Sequence, residues 1–267
     1  MKLKIIVLAK QVPDTRYVGK DAMTEEGTIN RSALPAIFNP EDLNALEQAL
    51  RIKEQNPGST VGVLTMGPPR AEEVVREGLF RGTDTGWLLT DRLFAGADTL
   101  ATSYALATAI KKIGVPDIII GGRQAIDGDT AQVGPQVAEK LCLPQVTYAE
   151  EITVNGESHT LNVLRHVDGG TESVELPMPC LITVNGSAAT CRPRNAKMTM
   201  ANKHREVINW SVADIDGEPE QCGLSGSPTK VKAVQNIIFQ AKETKTLTAS
   251  NDDIKDLILE LKCNKII

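Results

Sequence analysis

The sequence predicts an α/β fold with a mostly parallel, doubly wound sheet, an antiparallel flank and a C-terminal arm. Continuous runs of apolar, β-branched residues at 3–9, 60–66 and 117–120, with a shorter run at 87–89, are typical of strands buried on both faces. Patterns of helical period lie between these runs. Because strands that alternate with helices form parallel sheets covered on both faces, we expect such a sheet here.

Three helices are predicted to cover this sheet. The first has a well-marked start, with Asn39 as N-cap, Pro40 at the first helical position and Asp42 near the first-turn amides. The second follows Asp98, and the third is predicted over residues 131–141, where apolar residues recur four positions apart.

The pattern changes at about residue 145. Four short stretches between residues 145 and 177 are typical of strands, and Asn155-Gly156 and Asp168-Gly169-Gly170 are hairpin turn sequences. We therefore expect an antiparallel flank here, followed by a last core strand over Leu181–Val184.

Beyond about residue 188 the periodicity is poor, and residues 191–228 are rich in charged residues, Asn, Gly, Ser and Pro. A structureless stretch of this length is unusual inside a compact domain, so we interpret it as an arm that lies on another protein. Residues 252–261 are again amphipathic and predict a helix. The sequence therefore divides into an α/β domain, residues 1–187, and an extended C-terminal arm and helix, residues 188–267.

The composition argues against several classes of partner. The chain has 267 residues and a formal net charge of −5, with no basic run, so nucleic acid and anionic membrane surfaces are poor partners. No stretch approaches the roughly 20 apolar residues that cross a bilayer, so we expect no membrane insertion.

Cysteine and histidine usage bears on compartment and on metals. The five cysteines are odd in number and contain no Cys-x-x-Cys pair, which favours reduced thiols in a cytoplasm-like compartment. His159, His166 and His204 lie outside any metal-ligand pattern, so we expect no metal centre.

The richest loop of the predicted sheet is Gly121–Pro135. Ligands of parallel sheets sit outside the carboxyl ends of the strands, which selects the residues after Ala9, after Met66 and after Gly122. A glycine-rich turn into a helix N-terminus offers free amides and a partial positive charge to a phosphate. Arg123 could pair with a diphosphate in a fork geometry.

The loop matches neither the G-x-G-x-x-G nor the G-x-x-x-x-G-K-[ST] motif. Its residue types fit a nucleotide site and, equally well, a capped turn in which Asp127 and Asp129 bind no ligand. The loop has no lysine, which argues against an ATP-using ligase or stress protein of a related fold.

Arg123-Gln124-Ala125-Ile126-Asp127, followed by Asp129, resembles the signature of electron-transfer flavoprotein beta subunits. Further segments match the same family in the same order along nearly the whole chain. They are Val7–Asp14, Asn39–Asp42, Thr65–Pro68, Arg165 with Asp168–Gly170, and Glu260–Lys262.

This resemblance implies an adenine-nucleotide-binding type of α/β fold and a heterodimer with an alpha subunit. Residues 1–187 would hold FAD or AMP, the alpha subunit would hold another FAD, and residues 188–267 would dock on that subunit. By residue match, the ligand should touch Ala9, Asn39, Asp42, Thr65, Met66, Gly122, Arg123, Gln124, Ala125, Ile126, Asp127, Gly128, Asp129, Thr130, Ala131, Gln132, Val133 and Gly134.

The details of the loop resemble one branch of the family. Gly128 between two aspartates, and the run Thr130–Pro135, are similar to the branch that bifurcates electrons, in which the beta site holds FAD. Such a subunit would accept hydride from NADH, only in complex with the alpha subunit. It would pass electrons to ferredoxin or flavodoxin and, through the alpha-subunit FAD, to an acyl-CoA dehydrogenase. A prokaryotic, cytoplasmic location would follow.

The alternative is a housekeeping type of beta subunit, in which AMP is structural and the chain is a scaffold for the alpha-subunit FAD. The family's partner-recognition loop lies near Cys191–Met198, where its usual apolar residues are not obvious. The sequence therefore leaves the identity of the dehydrogenase open.

Overall fold

The structure is a computed structural model that describes residues 1–14, 35–229, 246–248 and 250–266. It divides into two compact units, Met1–Lys232 and Ala233–Ile267. The first unit contains the sheet. Within the described part of the second unit, one helix forms at the position predicted for the amphipathic tail.

The predicted strands and helices occur in the predicted order, together with further elements that the sequence patterns did not indicate. The strands are β1 (Lys4–Leu8), β2 (Gln11–Pro13), β3 (Ala36–Phe38), β4 (Thr60–Met66), β5 (Thr85–Leu89), β6 (Ile118–Gly122), β7 (Gln145–Asn155), β8 (Thr160–Val167), β9 (Gly170–Pro177), β10 (Cys180–Val184) and β11 (Ile208–Trp210). The helices are α1 (Pro40–Gln55), α2 (Glu72–Arg81), α3 (Thr99–Ile113), α4 (Val133–Lys140), α5 (Ala196–Asn202) and α6 (Asn251–Cys263).

The main sheet has the strand order β11-β5-β4-β1-β6-β10-β7-β8-β9. All pairs from β11 to β7 are parallel, and the two hairpin pairs β7–β8 and β8–β9 are antiparallel. Strands β2 and β3 form a separate antiparallel pair. A mostly parallel sheet with an antiparallel flank is the predicted fold class, which is thereby confirmed.

The two faces of the sheet bury alternate residues of the same strand. Ile5 and Val7 of β1 belong to one apolar core together with α1, and Ile6 and Leu8 belong to the opposite core together with α3 and α4. A strand that is covered on both faces needs an apolar residue at every position, which explains the uninterrupted run of β1. Among the described residues, none of the helices combines the length and apolarity that crossing a membrane requires.

The predicted start of α1 is confirmed, with Asn39 at the N-cap and Pro40 as the first helical residue, although the Asn39 side chain makes no capping hydrogen bond there. The start of α4 differs from the prediction. Helix α4 begins at Val133, two residues later than predicted, because Asp129 and Ala131 have left-handed φ angles of 50° and 53°. The start of α3 is confirmed, since the Asp98 side chain accepts from the amides of Leu100 and Ala101.

The interpretation of residues 191–228 as a structureless stretch is wrong, because part of it packs into the sheet domain. Strand β11 extends the sheet by pairing in parallel with β5, and Val212, Ile215 and Cys222 are buried in the core beside α3. These apolar residues are widely spaced among polar turn residues, so they produce no periodicity. Docking of the arm on an alpha subunit stays a prediction.

We predict that Ile215→Ala lowers the free energy of unfolding by about 2–4 kcal/mol, because it leaves a cavity in a packed core. Ile215 is 2% exposed. The measurement is urea unfolding of the full chain. Met200→Ala, at a side chain that is 81% exposed, is the control and should stay within about 0.5 kcal/mol of the wild type. Equal stability of the two variants would mean that this segment adds nothing to the fold.

Candidate functional site

A cavity of about 610 Å³ lies at the carboxyl ends of β1, β4 and β6. This volume lies within the range of about 300–1,000 Å³ that is usual for small-molecule sites. Its position is the one that the parallel sheet predicts for a ligand. The predicted site residues that line it are Ala9, Asp42, Met66, Gly122, Arg123, Gln124, Ala125, Gly128, Asp129, Thr130, Ala131, Gln132, Val133 and Gly134.

Four predicted site residues lie behind the cavity wall or beside it. Asn39 and Thr65 are fully buried, and the Thr65 hydroxyl has no hydrogen-bond partner among the described residues. The amide of Ile126 donates to the Asn39 side chain. Asp127 accepts from the Lys10 ammonium at 2.7 and 2.9 Å and lines a smaller neighbouring cavity of about 220 Å³.

Sequence reasoning missed one wall of the cavity, formed by the loop after β5 and the start of α3. Phe94, Gly96, Asp98 and Thr99 contribute to it, together with Thr229 from the end of the sheet unit. The same carboxyl-end rule, applied to β5, would have found this loop. No residue pattern in the sequence marks the loop after β5 as part of a site.

The loop between β6 and α4 presents backbone donors to the cavity. The amides of residues 130–134 have no hydrogen-bond acceptor among the described residues. Five consecutive unpaired N–H groups at the start of a helix attract an anion, since the helix dipole adds a partial positive charge. The left-handed conformations of Asp129 and Ala131 delay the helix and thereby expose these amides.

Glycines allow the close packing of this loop. A Cβ atom at Gly134 would lie 2.5 Å from the Thr183 side chain, so α4 approaches β10 only because position 134 has none. A Cβ atom at Gly128 would meet nothing within 4 Å. Gly128 lines the cavity, so open space lies beside the cavity at this position.

The two cations of the cavity are engaged by acidic side chains. The Arg123 guanidinium pairs with Glu41 at 2.8 Å and stacks on the Tyr148 ring, 5.3 Å from its centroid. Lys10 pairs with Asp127 at 2.7 Å. The predicted pairing of Arg123 with a diphosphate therefore requires that Arg123 contact both Glu41 and the ligand, or exchange one for the other.

Helices α3 and α4 are held together near the unpaired amides. The Thr99 hydroxyl donates to the Gln132 side-chain oxygen at 2.8 Å, and the Ser103 hydroxyl donates to Gln136 at 3.0 Å. These bonds fix the N-terminus of α4 relative to the wall formed by α3.

Asp42 is a buried carboxylate in the floor of the cavity. Its oxygens accept from the amides of Lys10 at 2.8 Å and Gly122 at 3.0 Å, which joins the ends of β1 and β6. Burial raises the pKa of Asp42 to about 7, although hydrogen bonds from Asn39, Lys10 and Gly122 lower it.

A mostly parallel α/β sheet has a cavity at its carboxyl edge, where the amides of residues 130–134 have no acceptor among the described residues. These features define the class of α/β proteins whose carboxyl-edge site could hold an anionic ligand. Residues 26–215 match the family of the electron transfer flavoprotein domain. The chain belongs to this electron-transfer family, as a member of its beta subunits, and the resemblance seen in the sequence is confirmed.

Three relatives show how far the similarity extends. The caffeyl-CoA reductase–Etf complex subunit CarD of Acetobacterium woodii is 44% identical over 266 residues, which cover 99% of this chain and 100% of that protein. The electron transfer flavoprotein subunit beta of Clostridium acetobutylicum is 47% identical over 86% of each chain. Protein FixA of Azorhizobium caulinodans is 46% identical over 87% of this chain and 84% of its own length.

We predict that Asp42→Asn reduces the dependence of stability on pH. Because the folded-state pKa is raised, the folded chain keeps a proton that the unfolded chain releases between about pH 4 and pH 7. The contribution of Asp42 to the free energy of unfolding therefore falls as pH rises, by about 3 kcal/mol from pH 5 to pH 8. Urea unfolding of both chains at pH 5 and pH 8 measures this change in the free energy of unfolding. The same pH difference in the variant and the wild type would contradict the prediction.

Proposed function

We propose that the chain binds FAD in the cavity at the carboxyl edge of its sheet, as the beta subunit of a heterodimeric, electron-bifurcating electron-transfer flavoprotein. It accepts hydride from NADH. Electrons then leave by two routes, to a low-potential acceptor such as ferredoxin or flavodoxin and, through the alpha-subunit FAD, to an acyl-CoA dehydrogenase.

The observation that carries this proposal is that the 610 Å³ cavity is lined by the amides of residues 130–134, which have no acceptor within the part of the chain that the structure describes. A diphosphate presents several oxygens to such amides, and the helix N-terminus favours its charge. The volume supports a dinucleotide, since a mononucleotide would leave part of the cavity unfilled. The fully buried hydroxyl of Thr65, which lacks a partner among the described residues, lies behind the same strand end.

FAD supplies the redox chemistry when it is bound, because a flavin takes up two electrons and releases them singly. The contribution of the chain is binding and orientation. The amides near Thr130 would hold the diphosphate, Met66 and Ala9 would contact the ligand from the strand ends, and Arg123 would face it from the rim. The rigid sheet beneath these residues fixes their spacing.

The relatives support the partners of this proposal. A beta subunit implies an alpha subunit, and we propose that residues 188–267 contribute to its docking, with their outer surface rather than with the residues buried on β5. One relative belongs by its name to a caffeyl-CoA reductase–Etf complex, which supports an acyl-CoA-linked flavoenzyme as a downstream partner.

The alternative function places AMP in the same cavity, with the loop amides on its single phosphate. The chain would then be a scaffold for the alpha-subunit FAD. Gly128 favours the first function, because open space rather than a side chain lies beside the cavity at this position.

The test is an anaerobic titration of the purified heterodimer with NADH. We expect two flavins per heterodimer, both reduced by NADH, and no AMP among the released ligands. One flavin per heterodimer, together with one AMP, would establish the scaffold function and reject the proposal.

We further predict that Gly128→Asp lowers the affinity for FAD about tenfold, or 1.4 kcal/mol, and leaves the affinity for AMP unchanged. The new side chain fills the space that only the larger ligand would use. Fluorescence titration of the full chain with each ligand measures the two affinities. Gly170→Asp is the matched control, because a Cβ atom there also meets nothing within 4 Å but lies on the β8–β9 hairpin. Equal losses for FAD and AMP would contradict the prediction.

A further inference from the structure

The first residues of α1 do not cap their own helix. An N-terminal Asn normally accepts from the amides of its own first turn, and acidic residues there normally interact with the helix dipole. In this chain the Asn39 side chain makes no such bond, and Pro40 at the first helical position removes one of the free amides. The polar atoms of Asn39, Glu41 and Asp42 point across to the end of β6 instead.

Asn39 holds the backbone of the loop after β6 through both polar atoms of its side-chain amide. Its nitrogen donates to the carbonyl of Gln124 at 2.9 Å, and its oxygen accepts from the amide of Ile126 at 3.2 Å. Asn39 is fully buried, and its own backbone N–H donates to the carbonyl of Lys10 at 3.0 Å. Its side chain is therefore fixed in one orientation.

Glu41 holds Arg123 and Gln124, the two residues that directly follow β6. One oxygen accepts from the amide of Gln124 at 3.0 Å, and the other accepts from the Arg123 guanidinium at 2.8 Å. The Glu41 side chain is only 14% exposed, so water competes little for these bonds. Together, Asn39 and Glu41 hold the backbone of Gln124 and Ile126 and the side chain of Arg123.

We propose that Asn39 and Glu41 are positioning residues for the cofactor, a role that rests on the proposed function. Neither side chain lines the cavity, so each acts through the loop. We call these two side chains the clamp, because their hydrogen bonds hold residues 124–126 in place. These residues lead directly into the left-handed turn and to the amides of residues 130–134, for which no described residue supplies an acceptor. The amides are thereby oriented before the ligand arrives.

Orientation before binding matters because ordering a loop costs conformational entropy. A loop that is ordered only on binding weakens the affinity by that cost, whereas a loop ordered during folding does not. This role differs from the ligand contact that the sequence predicted for Asn39.

The experiment compares two clamp variants with two matched controls in the same helix. Asn39→Ala removes both bonds to the loop, and Glu41→Gln replaces one acceptor by a donor. Asn44 likewise donates to backbone carbonyls, those of Ala188 and Ala189 at 3.0 Å, so Asn44→Ala is the control for the first variant. Glu47 pairs with Arg192 at 2.9 Å, so Glu47→Gln is the control for the second.

Two properties of the full-length, ligand-free chain are measured for all variants. The first is amide hydrogen exchange in residues 122–128, and the second is the affinity for FAD and for AMP. We expect Asn39→Ala and Glu41→Gln to speed exchange in this segment at least tenfold and to weaken the binding of both ligands by about ten- to hundredfold. The controls should lower the melting temperature but change neither property.

Unchanged exchange in both clamp variants would overturn the proposal, as would wild-type affinity despite faster exchange. Controls that loosen residues 122–128 as much as the clamp variants would also overturn it, because the effect would then be general destabilisation. A wild-type chain that binds neither FAD nor AMP would reject the proposed function. Faster exchange confined to the clamp variants would still show that they order the loop.

Discussion

The junction between α1 and the end of β6 is the contact on which the site depends. Asp42 accepts from the amides of Lys10 and Gly122 and so fixes the distance between two strand ends at the floor of the cavity. The close approach is possible only with glycine at position 122, since a Cβ atom there would lie 2.4 Å from the Asp42 carboxylate. Burying this carboxylate costs free energy, which its raised pKa records.

The acidic side chains at this junction also determine the electrostatics of the cavity. Glu41 pairs with Arg123, and Asp127 pairs with Lys10, so neither cation presents its full charge to a ligand. Attraction for a phosphate therefore depends largely on the amides of residues 130–134 and on the dipole of α4. Backbone donors do not change rotamer, which makes them suited to holding a ligand in one orientation.

The far wall of the cavity connects the ligand site to the last described part of the sheet unit. The Ser227 hydroxyl accepts from the amide of Asp98 at 2.8 Å, and the Asp98 carboxylate accepts from the amide of Thr229 at 3.1 Å. Asp98 also caps α3, so one side chain joins a helix start, the cavity wall and Thr229, the last described residue of the sheet unit.

The sequence by itself determined the buried parallel strands, the hairpins, helices α1, α3, α4 and α6 and the loop at 122–134, because each leaves a local signal in apolar periodicity, capping residues or turn residues. Helices α2 and α5 and strands β2, β3 and β11 were not predicted. The tertiary structure alone decided the direction of the Asn39 side chain, the pairing of Arg123 with Glu41 and the burial of Ile215. The first two features depend on partners that lie 80 or more residues away along the chain. The burial of Ile215 depends on an apolar residue that belongs to no periodic pattern. Local patterns carry no record of such partners, so only the packed fold determines them.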